Sequence, residues 1–281
     1  MCEFYLNGNA VKEIAINDRG LLYGDGFFST LKIVNGCIER WPLHLERISF
    51  SADKLSFPAV DIEQLQKELA SFIESQDRSD GCIRLTITRG SGERGYQAPD
   101  KPQISRILSW SPLMNVDALQ QGVTLNLDSR CQISINPLLS GVKHLNRLDQ
   151  VLAQNYKQVG CFDTIMLADD LIISGSKTNI YFHVNDRWVT PKLNKAGVNG
   201  TVRRWLLATQ DDFHSSSFGL DILKIADYCL VSNALIGIIP VTNITINEKK
   251  PKEYGFDIYP KLPELQNAYR ENALYRLENN Q

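Results

Sequence analysis

Apolar residues recur along the chain with two spacings, every second position for strands and every third or fourth for helices. Residues 3–15 read as a β-hairpin: Phe4-Tyr5-Leu6, a turn at Asn7-Gly8-Asn9, then a return over 11–16. Residues 30–34 and 37–41 form a second hairpin about the turn Asn35-Gly36. A helix opens at Pro42 and continues through Ile48, Ala52 and Leu55. A second, amphipathic helix spans 61–75, with Leu65, Leu69 and Phe72 on one face. Strands follow at 82–88 and 104–110, and 111–114 has the character of a linker. The pattern therefore predicts an N-terminal α/β domain over 1–113 and a strand-rich domain over 114–281. In the second half, strands are expected at 123–127, 163–168, 171–173, 180–184, 188–191 and 226–231, with one more toward Ile239-Pro240-Val241. Helices are expected from about 146 to 159, where Gly160 closes the turn, from 202 to about 208, and as a surface helix over 262–277.

Composition narrows the class. The 281 residues are 43% hydrophobic and 22% charged, enough apolar material for a real core and too little charge for disorder. The 30 basic and 32 acidic residues leave a net charge of -2, without the basic excess that nucleic-acid binding needs. The N-terminal residues lack a basic stretch followed by a long apolar run, so neither a signal peptide nor a membrane span is expected there. Six scattered cysteines (2, 37, 82, 131, 161, 229) have no CxxC spacing and read as reduced thiols of a cytoplasmic protein. Four scattered histidines (44, 144, 183, 214) give no metal-ligand spacing. No internal repeat stands out.

Four places carry candidate chemistry. Lys143 lies on a connector between the apolar turn Pro137-Leu138-Leu139-Ser140 and a helix. An amine held on a rigid base and desolvated becomes a nucleophile for carbonyl carbon. Arg47, near the start of a helix, can grip a dianion with its forked donors. Gly200-Thr201 at a helix start offers open N–H groups and a hydroxyl to a phosphate. Residues 89–96, glycine-rich with Arg89, Arg94 and Tyr96, suit carboxylates. Taken singly, each also reads as ordinary structure: a surface lysine, a helix-surface arginine, a threonine cap, a hairpin tip.

Together the motifs have a family likeness. Asp18-Arg19-Gly20, Tyr23-Gly24-Asp25-Gly26-Phe27-Phe28, His44-Leu45-Glu46-Arg47, Lys143-His144-Leu145-Asn146-Arg147, Asn179-Ile180-Tyr181, Gly197-Val198-Asn199-Gly200 and Ser232-Asn233-Ala234 follow one another in order over nearly the whole chain. This series resembles the fold-type IV pyridoxal-phosphate enzymes, which include branched-chain and D-amino-acid aminotransferases and lyases acting on 4-amino-4-deoxychorismate. The Lys143–Arg147 run, the 89–96 loop, Ala196-Gly197-Val198-Asn199-Gly200 and Ser232-Asn233-Ala234-Leu235 look most like the lyase branch.

The resemblance implies a two-domain α/β (α+β) fold with an N-terminal α/β sandwich and a barrel-like C-terminal domain. It implies pyridoxal 5'-phosphate as cofactor, joined to Lys143, which would then carry protons. It assigns Arg47 and the N–H groups of Thr201 and Val202 to the cofactor phosphate, helped by the turn Asn233-Ala234-Leu235, and puts Asn179 in the same cofactor set. Thr30, Arg94 and Tyr96 would face substrate carboxylates. Five residues before Asn179 the family commonly has a glutamate that protonates the pyridine nitrogen; here the position is Ser174. Serine offers a hydrogen bond but no counter-charge, so the ring is expected to be a poorer electron sink, which favours the lyase over aminotransfer. The implied reaction converts 4-amino-4-deoxychorismate to 4-aminobenzoate and pyruvate on the route to folate, with D-amino-acid or branched-chain aminotransfer as the alternative. A non-catalytic small-ligand scaffold is the rival outside catalysis. The resemblance also implies a homodimer.

Overall fold

The computed structural model describes residues 4–247 and 252–277; Glu3, the first residue of the expected hairpin, lies outside them. The strands are β1 (Phe4–Leu6), β2 (Asn9–Ala10), β3 (Gly26–Val34), β4 (Cys37–Glu39), β5 (Gly81–Thr88), β6 (Ser105–Ser111), β7 (Val123–Gln132) and β8 (Asp163–Ala168). There follow β9 (Leu171–Gly175), β10 (Asn179–Val184), β11 (Arg187–Pro191), β12 (Phe213–Ser216), β13 (Tyr228–Asn233), β14 (Gly237–Ile246), β15 (Lys252–Gly255) and β16 (Leu274–Tyr275). The helices are α1 (Arg19–Tyr23), α2 (Trp41–Lys54), α3 (Ile62–Glu74), α4 (Leu148–Asn155), α5 (Thr201–Thr209) and α6 (Leu262–Arg270).

The chain divides into two units, and they are not consecutive stretches. The first holds Met1–Met114, Val142–Asn146 and Asn272–Gln281; the second holds Asn115–Gly141 and Arg147–Glu271. In the first unit a seven-stranded sheet runs in the order β16-β4-β3-β5-β6-β1-β2, antiparallel throughout. Phe27, Leu31 and Ile33 of β3 and Ile83, Leu85 and Ile87 of β5 pack against Ile48 and Ala52 of α2 and Leu65, Leu69 and Phe72 of α3. Each such side chain contributes about 1.5–3 kcal/mol when fully buried, so this face holds the layer together. Asp61 caps α3 by accepting the N–H of Gln64 at 3.0 Å.

Lys143, expected within the C-terminal domain, groups with this first unit, and the reason is hydrogen bonding. The N–H of Phe28 donates to the Lys143 carbonyl, and the N–H of Leu145 donates to the Gly26 carbonyl, both at 2.9 Å. The lysine connector thus pairs with the start of β3 through a single antiparallel bridge, Phe27 opposite His144.

The second unit is a nine-stranded sheet, β12-β11-β10-β13-β14-β7-β8-β9, with β15 beside β14. β7 runs parallel to both β8 and β14, and β9 comes back against β10 and β11, so the sheet curls into a barrel-like form. Its interior is aliphatic, with Leu125, Ile165, Ile180, Phe182, Val231, Ile239 and Ile244 almost wholly buried.

Several expectations need correction. The first hairpin turns on two residues, Asn7 and Gly8, both with positive φ, and its return strand is only β2. Residues 11–16 form no strand, and Ile16 is 83% exposed. The glycine-rich stretch after Asn17 contains a helix, α1, capped by the Asp18 carboxylate and ended by Gly24 at φ 64. α4 starts at Leu148 rather than 146, because Leu145 and Asn146 are bonded to Gly26 and Gly24, and it ends at Asn155. α6 stops at Arg270; Asn272 has φ 49, and Leu274 and Tyr275 pair with β4 instead of continuing a helix to 277.

Candidate active site

Consecutive residues of β3 point to opposite faces, and two groups of functional side chains meet them there. On one face the Lys143 ammonium lies 4.4 Å from the centre of the Phe28 ring, and the Arg84 guanidinium lies 3.7 Å from the same ring. Such contacts contribute about 0.5–1 kcal/mol each at exposed positions and more when desolvated. Thr30 faces Arg84 across the β3–β5 pair. Lys143 and Arg84 thus share the Phe28 ring, and Thr30 is the strand partner of Arg84. Arg84 was not expected from the sequence: its place depends on the strand register, and the only signal was a charged residue in an otherwise apolar strand.

On the other face, Ser29, His44 and Arg47 form a buried trio, exposed by 2%, 1% and 5%. Arg47 Nη2 donates to Ser29 Oγ and to His44 Nδ1 at 3.1 Å. A guanidinium only donates, and Arg47 Nη2 meets both Ser29 Oγ and His44 Nδ1. Ser29 Oγ is hydrogen-bonded to the same nitrogen at 2.8 Å. Arg47 is thereby fixed from two sides.

The charged residues of the first motif are structural. Asp25 receives Arg19 Nε and Arg89 Nε, each at 2.8 Å. Arg19 also donates to the carbonyls of Gly95, Tyr96 and Gln97 at 2.9–3.1 Å, which ties down the 89–97 loop. Arg89 also donates to the carbonyls of Leu55 and Ser56, each at 2.9 Å. Of the arginines in this loop, Arg94 is the exposed one, and Tyr96 is 89% exposed with its ring edge against Tyr23. Neither is brought against Lys143 by any contact within the first unit.

The second unit carries its own cluster. Gly200 precedes α5 in an extended conformation and offers no side-chain cap, so the first N–H groups of the helix stay open. Thr201 is 1% exposed, and its hydroxyl has no hydrogen-bond partner. Asn179 Nδ2 donates to the Val198 carbonyl at 3.0 Å, and a Cβ at Gly200 would collide with Asn179 Oδ1. The 197–200 turn is also bonded to Gly141, two residues before Lys143: Gly141 N–H donates to Gly197 O, and Asn199 N–H to Gly141 O, both at 3.0 Å. Asn233 Oδ1 accepts the N–H groups of Leu235 and Ile236 at 2.9 and 3.1 Å, which folds the 233–235 turn tightly. Ser174 is buried on β9. Asp163, absent from the expected site, organises the turn after it by accepting from Lys177 N–H at 3.2 Å and Thr178 Oγ1 at 2.8 Å.

The first unit thus presents a lysine on a pinned connector and a pre-set arginine, and the second presents an open helix start. The family model for amino-transferase class IV matches residues 26–244, and the chain belongs to that family. It is 32% identical over 255 residues to an aminodeoxychorismate lyase from Vibrio harveyi, covering 88% of this chain and 93% of the relative. It is 25% identical over 256 residues to a D-alanine aminotransferase from Staphylococcus epidermidis, covering 87% and 89%. The crystal structure of the 4-amino-4-deoxychorismate lyase from Pseudomonas aeruginosa superposes with a TM-score of 0.86 at 31% identity, over 96% of this chain and 98% of that one. The two-sheet α/β architecture is thus that of the fold-type IV enzymes.

Proposed function

We propose that the protein is a pyridoxal-phosphate-dependent lyase that converts 4-amino-4-deoxychorismate to 4-aminobenzoate and pyruvate, a step of folate biosynthesis. The observation that carries the reading is the likeness to two such lyases at 32% and 31% identity across nearly the full chain, with an amine, Lys143, held on its connector. The residues fit the cofactor. The Thr201 hydroxyl is buried without a partner, as a phosphate ligand would require, and Gly200 lets the turn lie against Asn179, where any Cβ would collide.

Each residue then has a task. Arg47, Thr201 and Val202 would hold the phosphate, Asn179 and the Asn233-Ala234-Leu235 turn would keep the helix start in shape, and Ser174 would hydrogen-bond the ring nitrogen. When bound, the cofactor supplies a conjugated ring that takes up the electron pair left by proton removal. Lys143 Nζ would secure the cofactor aldehyde at rest. Released by the incoming substrate amine, it would take the proton from C4 of the substrate and return a proton to the departing enolpyruvyl group. The substrate carries two carboxylates, and Arg84, which shares the Phe28 ring with Lys143, joins Thr30, Arg94 and Tyr96 as a group to receive them.

The D-alanine aminotransferase likeness, at 25% identity, supports aminotransfer as the second reading. Purified protein given 4-amino-4-deoxychorismate should release fluorescent 4-aminobenzoate together with pyruvate. Amino transfer from D-alanine to a keto acid, with no 4-aminobenzoate formed, would overturn the lyase reading.

We further infer a homodimer. α4 and the residues after it present Leu148, Val151, Leu152 and Val159 at 46–103% exposure, an apolar row that water does not favour and a second copy can cover. Among the described residues no helix is long and apolar enough to cross a membrane. The five described cysteines are all free thiols, which supports a cytoplasmic location.

A further inference from the structure

Arg203 is the third residue of α5 and is 6% exposed. Nη1 donates to Asn199 Oδ1 at 2.8 Å, Nη2 donates to the Pro191 carbonyl at 2.9 Å, and the buried Nε meets no acceptor. None of the ion pairs among the described residues includes it. The ionisable group acting on it is the Tyr181 phenol, which burial pushes up so that it stays neutral and gives no counter-charge. Burial in turn pushes the Arg203 guanidinium down from its ordinary value.

A lone cation is doubly misplaced here. A buried charge without a counter-charge is strongly disfavoured. The first turn of a helix also carries the positive end of the backbone dipole, where cations are disfavoured. An anion at the start of α5 reverses both penalties. Arg203 is, moreover, bonded to Asn199, whose own N–H is tied to Gly141, so it grips the turn that presents Gly200 and Thr201.

We propose that Arg203 is a positioning residue for the phosphate: it holds the 197–200 turn through Asn199 and places its charge behind the start of α5, selecting a dianionic ligand there. Each of its Nη groups is anchored to a protein acceptor, so it acts through the turn and through its field. The proposal rests on the reading of α5 as the seat of the cofactor phosphate.

The test compares pyridoxal phosphate with pyridoxal, the same aldehyde without its phosphate, titrated into apo-protein and followed by absorbance. Wild type should prefer the phosphorylated form. Arg203→Gln should cut that preference about tenfold, the scale of one nearby charge in a protein interior, while pyridoxal binding changes little. Arg203→Lys, which keeps the charge, should retain most of the preference. A Gln variant whose preference matches wild type, or one that loses both aldehydes equally, overturns the proposal. Should the Gln variant not fold, inorganic phosphate must raise the melting temperature of the apo Lys variant as it does that of wild type; a Lys variant that phosphate leaves unchanged also overturns it. A wild type that binds both aldehydes equally would instead remove the phosphate seat itself.

Discussion

Arg47 is set before any ligand arrives: Ser29 and His44 hold one end of its guanidinium, and burial keeps the side chain from swinging out. A pre-ordered donor loses little entropy on binding, so its hydrogen bonds to a charged group count nearly in full. Arg47→Gln should therefore weaken pyridoxal phosphate about 10- to 100-fold, the worth of one or two charge-assisted bonds, and leave pyridoxal affinity near wild type. Equal weakening of both in equilibrium titrations would show that Arg47 only supports the fold. The sequence proposed Arg47 from its helical position and chemistry. Ser29 and His44 were not legible there, because their roles arise only when β3 packs on α2. Arg84 was hidden for a similar reason: its proximity to Lys143 depends on the register Thr30↔Arg84 and on a connector pairing from over a hundred residues away.

At the scale of elements, the turn before α5 and the irregularity in β7 make separate predictions. Gly200→Ala drives a methyl into Asn179 Oδ1, so it should displace Asn179 and lower both the melting temperature and the affinity for pyridoxal phosphate. In β7 the pairing with β8 shifts register between Leu127 and Gln132, and Asp128 braces the gap. Arg130 donates to it through Nε at 2.9 Å and Nη2 at 2.7 Å, and Asn247 Nδ2 adds 3.1 Å. The Arg130 hydrogen bond chiefly holds the Asp128 carboxyl down to about 2, below its ordinary 3.8. Because the folded value lies below the unfolded one, the stabilisation is complete above about pH 4 and is lost as pH falls through about 2. Asp128→Asn should be less stable than wild type to urea at pH 7, with the gap closing as pH drops toward 2. A gap that widens in acid would contradict this. Periodicity located α3 almost to the residue, because its apolar face and its Asp61 cap agree. It misread 11–16, where Ile14 and Ile16 alternate but have no neighbouring strand and stay exposed. For α4 the spacing gave the helix but not its start, which the bonds of Leu145 and Asn146 to Gly26 and Gly24 delay to Leu148.

For the whole molecule, the decisive feature is that the chain re-enters its first unit twice, at Val142–Asn146 and from Asn272 onward. Local pattern cannot foresee this, since backbone pairing between distant segments decides it. The family motifs could be read in order from the sequence, so the cofactor class was legible before the path of the chain was. If the apolar row on α4 is a subunit boundary, light scattering should give twice 31.7 kDa, and Leu148→Glu with Leu152→Glu should halve the mass while leaving the circular dichroism spectrum unchanged. A wild-type monomer would contradict the homodimer. The most direct test of the account as a whole is to load the protein with pyridoxal phosphate, reduce it with borohydride, digest it and read the peptides by mass spectrometry. The reduced cofactor should sit on the peptide containing Lys143 and on no other; finding it on a different lysine, or on none, in protein that still forms 4-aminobenzoate would contradict it.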